Sequence, residues 1–328
     1  MPGKFSLPWH QLSHGANRLT PERKGNTVNI LRHKAVLLSA TLGAIGMALA
    51  LSNSPSSAAD EALIGKLEKD TKIYNSVPQK FRDAGVINAA TEADYPPFDF
   101  LDEQNELTGA DLDISAALGK IMGVPIKNHK TEFSAIIPGI QAGRFDIGVS
   151  SIGDYLKREE TMDFVDYYHG GNSFLVRTGT FNPKTAAEVC GTAMGALKGT
   201  DSEKQANKNS ANCVSSGKAP IQVNAFPTQN DAVLALTSGR VLSVSGDAAT
   251  NGYSARQVGP TLQNIVTTIY GGEWIAGVAI PKNSALYQPI YDAMAVLIKS
   301  GVYAEILKKW GLEDGALSAP GKNQGIAD

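Results

Sequence analysis

Apolar positions change period twice between Phe133 and Asp166. Ile136, Ile137 and Ile140 share one face at helical spacing, and Gly143 ends that helix, where a positive φ costs glycine least. Phe145, Ile147 and Val149 then alternate as one face of a strand does. The strand's carboxyl end presents Ser150 and Ser151, and Arg158 follows seven residues on. Ligands of open α/β sheets bind just outside the carboxyl ends of strands. Two hydroxyls and a guanidinium there suit a small anionic or zwitterionic ligand.

The same reading divides the rest of the chain. Residues 60–82 read as a helical lead-in and Val86–Ala90 as a short strand. Tyr95-Pro96-Pro97-Phe98 is a stiff turn, because proline fixes its own φ and restricts the residue before it. Leu112, Ile114, Ala117, Leu118 and Ile121 mark an amphipathic helix with Asp111 near its start. Val124–His129 is the next strand, so the order β-α-β-α-β predicts a parallel sheet with helical crossovers. Ser173–Val176 is a strand among Gly170, Gly171 and Gly179, where a chain could cross between domains.

Ala193–Leu197 is a further strand, Gly199 its turn, and Thr200-x-x-Glu203 a capping box. A strand feeding a helix N-terminus also offers free N–H groups and a positive dipole end to an anion, although ordinary capping explains the same residues. Residues 205–219, rich in Asn, Ser and Lys, read as a surface loop. The stretch TQNDAVLALTSGRVLSVSGDAAT then echoes the first unit: helix, Gly239-Arg240, strand, polar end. Aligning Gly143-Arg144 with Gly239-Arg240 sets Ser151 opposite Asp247. Ile265–Tyr270 and Trp274–Ile280 read as strands around a Gly271-Gly272 break, and Tyr287–Lys299 and Val302–Trp310 as helices. Trp310 is expected in the core, and the Gly/Ala/Pro-rich tail from Glu313 is expected to be disordered or draped.

Charge and cysteine usage add a location. The net charge of −2 hides an imbalance: residues 1–59 hold six Lys/Arg and one acid, leaving 24 basic and 31 acidic residues, net −7, beyond them. That disfavours nucleic acid as a partner. Arg32-His33-Lys34, the apolar run Ala35–Leu51 and the small residues after it have the build of a secretory leader, expected to be cleaved after Ala59. An uncleaved anchor is the competing reading, since the run sits at the short edge of a membrane span. Cys190 and Cys213 are the two cysteines, and in an exported chain they are expected to pair, a closure worth about 3 kcal/mol. No cysteine stands at the leader's end to carry a lipid anchor, so a free, soluble product is expected. Beyond the leader only His129 and His169 remain, with no HExxH or paired-Cys motif, so neither a histidine triad, a metal site nor a cofactor is expected.

Six segments in order, ATEADYPPFDF, LTGADLDISAALGKIMG, FSAIIPGIQAGRFDIGVSSIGDYLKREETMDFVDYY, GALKGTDSEK, SGRVLSVSGDAA and GVYAEILKKWGL, make residues 84–312 resemble the amino-acid-binding family of bacterial solute-binding proteins, which serve ABC importers. The resemblance implies an α/β, two-lobed periplasmic-binding-protein fold of type II. Each lobe would be a mainly parallel sheet flanked by helices, with two crossing hinge segments, near Gly170–Val176 and Tyr270–Glu273. The implied layout is a leader over 1–59, lobe one from 60–172 and 271–312, lobe two over 173–270, and a tail over 313–328.

The resemblance also assigns roles. Arg158 would hold a ligand's α-carboxylate, Ser150 and Ser151 would serve its carboxylate and ammonium, and Asp247 would take the ammonium. The helix start at Thr200, Asp201 and Ser202 would close on the carboxylate, Tyr95 and Phe133 would sandwich the side chain, and Leu197 would line the far wall. Glu92 would read the side-chain end. Gly153 stands where relatives commonly have Ser or Thr, and Asp201 where they commonly have Thr. Asp201 and Glu92 tilt the expected ligand toward a basic or polar amino acid. The implied protein is a periplasmic monomer that is not an enzyme and hands its ligand to a membrane permease by cleft closure. Two rivals stand beside it: a periplasmic dehydratase of prephenate- or arogenate-like substrates, with Glu92 as general acid, and a ligand-binding sensory module.

Overall fold

The computed structural model describes residues 62–269 and 272–327. The leader over 1–59 lies outside the described residues, as do Tyr270 and Gly271 of the expected return crossing. The lead-in is helical in two short pieces, α1 (Thr71–Ser76) and α2 (Gln79–Ala84), with Asp70 capping α1 through the amides of Lys72 and Ile73. β1 (Ile87–Thr91) is followed by a small sheet of β2 (Asp94–Tyr95), β3 (Asp99–Leu101) and β4 (Leu107–Thr108), folded back at the proline turn. Gly109 starts α3 (Ala110–Met122) at φ 129°, and a Cβ there would stand 2.1 Å from the Phe98 carbonyl oxygen. Only glycine lets the helix begin this close to the turn.

Five elements complete the first half: β5 (Ile126–Lys130), α4 (Phe133–Gln141), β6 (Ile147–Gly153), α5 (Leu156–Glu159) and β7 (Met162–Gly170). The chain then crosses into β8 (Asn172–Arg177), β9 (Ala193–Leu197), α6 (Asp201–Ser215), β10 (Gln222–Phe226), α7 (Gln229–Thr237), β11 (Ser243–Asp247), α8 (Ala248–Val258) and β12 (Leu262–Val266). It returns through β13 (Trp274–Pro281), α9 (Tyr287–Lys299), α10 (Val302–Trp310) and β14 (Ala316–Lys322).

Two lobes result, one on the sheet β14-β7-β13-β6-β1-β5 and one on β10-β9-β11-β8-β12. Both sheets are mixed, a refinement of the mainly parallel sheets expected. In the first, β1 pairs parallel with β5 and β6, whereas β13 lies antiparallel to β6 and β7. In the second, β9 pairs parallel with β10 and β11, and β8 lies antiparallel to β11 and β12. Of the reversed strands, β8 and β13 are fed by the two crossings, and β14 is the tail at the edge of the first sheet. A strand that arrives from the other lobe has no helical crossover to turn it parallel. In lobe one, α3, α9 and α10 share a core of Ile114, Leu118, Ile290, Met294, Tyr303 and Ile306, and α4 buries Ile136 and Ile140 on Ile152 and Phe164.

Three local expectations are corrected. β6 begins at Ile147 and is buried at every position, so Ser150 and Ser151 lie inside the strand, and Phe145 precedes it, packed on the α4 cluster. An interior strand has two covered faces and loses the alternation that marks a half-exposed one. Residues 205–219 are mostly helix rather than loop: α6 runs to Ser215, capped reciprocally as Glu203 N donates to Thr200 Oγ1 (3.2 Å) and Gly199 N to the Glu203 carboxylate (2.6 Å). The Cys190–Cys213 disulfide ties this helix to the turn before β9. The tail is ordered into β14 on the edge of the first sheet. Trp310 is half-buried at the rim of the core, its indole N–H donating to Asp113 (2.7 Å).

Candidate functional site

The cleft between the lobes encloses about 400 Å³ of empty space, counted out to its mouth. Lobe one contributes Tyr95, Phe133, Ser151, Gly153, Tyr155 and Arg158 to its lining. Lobe two and the crossings contribute Leu197, Thr200, Asp201, Ser202, Asp247, Asn172 and Trp274. The lobes touch around it. Asp94 Oδ2 accepts from the amide of Asn230 at the start of α7 (3.0 Å). Gly199 packs so closely on Ser134 that a Cβ would stand 3.0 Å from the serine Cα. Phe100 and Tyr253 meet at 5.7 Å between ring centres. This is the closed arrangement of a two-lobed clamp.

Arg158 bridges the clamp. Its Nη1 donates to the Gly153 carbonyl (2.7 Å) and its Nη2 reaches the Gly199 carbonyl of the other lobe (3.4 Å). The guanidinium lies 5.7 Å from the Phe133 ring centre and 5.2 Å from that of Tyr155, aromatic faces that favour a cation. Opposite it, Thr200 caps α6, whose fifteen residues direct a positive dipole end into the cleft.

Asp247 and Ser151 each bring to the cleft a buried polar atom with no hydrogen-bond partner among the described residues. Asp247 caps α8, its Oδ1 accepting from Ala249 N at 2.6 Å, while Oδ2 is buried and unpaired. Burial pushes this carboxyl up to about 7. Ser151 Oγ is likewise buried and unpaired. Ser151 adopts φ 43°, unusual for a residue with a Cβ, and Asp111 steadies it by accepting its amide at 2.6 Å. The other oxygen of Asp111 accepts from the Tyr167 hydroxyl (2.6 Å).

Ser150 and Glu92 form the layer behind the cleft and do not line it. The Ser150 hydroxyl donates to Asp99 Oδ2 (2.8 Å) and accepts from Glu92 N (3.0 Å), so it is committed within the lobe. Neighbouring strand residues face opposite ways, and Ser151 takes the cleft side. Glu92 is 3% exposed, and burial, reinforced by Asp94 and Glu132, raises its carboxyl to about 8. Burial and the facing Asp111 raise Asp99 as well. Among the described residues no group of His, Cys, Asp and Glu is arranged to hold a metal ion, and no helix is long and apolar enough to cross a membrane.

Tyr155, Asn172 and Trp274 line the cleft without having been anticipated. Tyr155 explains Gly153: a Cβ at 153 would stand 2.4 Å from the tyrosine ring. The ring occupies the space that a serine or threonine side chain would need, so the glycine marked its neighbour. Gly153→Ser is expected to destabilise the fold by about 1–3 kcal/mol through overpacking. Urea unfolding checks this, and Tyr155→Ala in the same chain should restore most of the loss. An unchanged midpoint in the single variant would refute the steric account.

The family profile of the bacterial extracellular solute-binding proteins, family 3, matches residues 87–313. The chain is 29% identical over 250 residues to the arginine-binding protein ArgT of Corynebacterium glutamicum, covering 75% of this chain and 81% of that one. The structure resembles an ancestral arginine-binding protein bound to arginine, with TM-score 0.63 and 30% identity over 69% of this chain and 98% of the other. It also resembles the ancestral amino-acid-binding protein AncCDT-1, a precursor of cyclohexadienyl dehydratase, with TM-score 0.63 and 25% identity over 71% and 98% of the two chains.

Proposed function

Since the chain belongs to the bacterial extracellular solute-binding proteins of family 3, we propose that it binds a free amino acid, basic or polar, outside the cytoplasm and delivers it to the permease of an ABC importer. The observation that carries the reading is the pairing across one cleft of the Arg158 guanidinium with the unsatisfied Asp247 Oδ2 and Ser151 Oγ. A zwitterion answers both. Its carboxylate suits Arg158 and the α6 N-terminus, and its ammonium suits Asp247 and Ser151. Tyr95 and Phe133 flank the remaining space and would hold the side chain. The acid Asp201 in the cleft favours a positively charged side chain, in line with relatives named for arginine.

Binding would hold the lobes shut, and the closed outer surface would be what the permease recognises. The protein would act as an exported, soluble monomer in the periplasm, without nucleic acid. Members of the family are binding proteins, and the position of Glu92 speaks against the dehydratase rival. A general acid must reach the leaving group, and Glu92 sits behind the cleft wall. A thermal-shift screen of the twenty amino acids with ornithine and citrulline tests the reading. L-arginine or another basic amino acid is expected to raise the melting temperature by several degrees, because ligand bound only to the native state stabilises it by mass action. A flat screen, or aromatic product formed from prephenate, would overturn it.

A further inference from the structure

We propose that the C-terminal tail, residues 316–327, is a positioning element for the ligand site, clasping from behind the loop that carries Tyr155 and Arg158. The family match ends at residue 313, so the clasp lies beyond the matched segment. β14 first pairs antiparallel with β7, and the chain then turns over the loop between β6 and β7. Asn323 Oδ1 accepts from Phe164 N at 2.7 Å. Gly325 N donates to Glu159 Oε1 at 2.9 Å, one residue after Arg158. Leu156 N donates to the Ile326 carbonyl at 3.1 Å, and Ile326 forms a parallel bridge with Tyr155.

Beneath these contacts lies Asp154, fully buried against the carboxyls of Glu159 and Asp166. The tail covers it: a Cβ on Gly325 would stand 2.9 Å from Asp154 Oδ1 and 2.5 Å from Glu159 Oε1. The loop itself is short. α5 has four residues and no side-chain cap. Isolated turns of this length are unstable in water. The tail supplies the loop with hydrogen bonds that its own sequence does not, and the loop in turn sets Arg158 against Gly153 and Gly199. Fixing a binding side chain before the ligand arrives removes the cost of ordering it on binding.

The inference rests on the amino-acid reading only for its effect on affinity. Two variants loosen the clasp without touching the cleft: a chain ending at Lys322, and Gly325→Ala, whose Cβ would press on the loop. Two measurements separate the questions. Amide hydrogen exchange without ligand is expected to be at least about tenfold faster over residues 154–159 in both variants, with β9 and α3 unchanged. Titration calorimetry with L-arginine as the probe is expected to show affinity weakened about tenfold or more. In an Arg158→Lys background the truncation should cost much less, as two changes acting through one side chain are not additive. Unchanged exchange over 154–159 would overturn the clasp. Faster exchange with unchanged L-arginine affinity would overturn its role in positioning. A wild-type chain that binds no amino acid would sink the amino-acid reading alone, and the exchange result would still decide whether the tail holds the loop.

Discussion

Arg158→Ala is expected to weaken amino-acid binding by at least about thirtyfold and up to a few thousandfold, with only a small loss of stability. Truncating one partner of a buried, hydrogen-bonded charge pair costs about 2–5 kcal/mol, much of it from the charge left unpaired. The stability effect is smaller because Arg158 lies at a cleft, where its loss admits water and does not open a core void. It donates to the carbonyls of Gly153 and Gly199, and the second of these contacts spans the lobes. The variant is therefore expected also to loosen closure without ligand, visible as a larger radius of gyration in solution scattering. Arg158→Lys should fall between, since lysine keeps the charge and loses the planar fork that meets a carboxylate twice. Calorimetry giving wild-type affinity in Arg158→Ala would remove Arg158 from the site.

The residues most legible in the sequence were those whose chemistry is local. Gly199 with Thr200-x-x-Glu203 is a helix start wherever it occurs, and the structure places that start at the cleft. Arg158 is legible as a cation in the polar stretch after a strand end, whereas the role of Phe133, the first residue of α4, came from the family resemblance. Ser150 is expected at the cleft and lies behind it, because a strand's alternation decides which of two adjacent serines meets the cleft, and a strand covered on both faces gives no alternation to read. The layer behind the site was out of reach for a different reason. Asp99, Asp111 and Tyr167 are brought together by three separate elements, and nothing in their spacing announces it. The tail looked unstructured because Gly, Pro and Ala dominate it, yet at the edge of a sheet proline costs no ladder bond and glycine allows close approach. Gly321 lies where a Cβ would stand 2.4 Å from Asp166 Oδ2.

Stability and affinity are expected to move in opposite directions between pH 5 and 8. Burial holds Glu92 at about 8, and Asp111 and Asp247 each at about 7, well above the ordinary carboxylate range near 4. Over that window the folded chain keeps protons that the unfolded chain has released. Stability therefore falls as pH rises, by about 1.4 kcal/mol per pH unit for each extra proton held. Urea unfolding should show the ligand-free protein more stable at pH 5 than at pH 8, and Glu92→Gln should reduce that slope. Ligand affinity should run the other way. Asp247 accepts an ammonium only when ionised, so binding should tighten as pH climbs through about 7. Asp247→Asn should bind weakly at every pH and lose the dependence. Stability and affinity that both stayed level from pH 5 to pH 8 would show that these buried acids are ionised in the fold throughout. The case for Asp247 as a partner kept without a counter-charge until the ligand's ammonium arrives would then be lost.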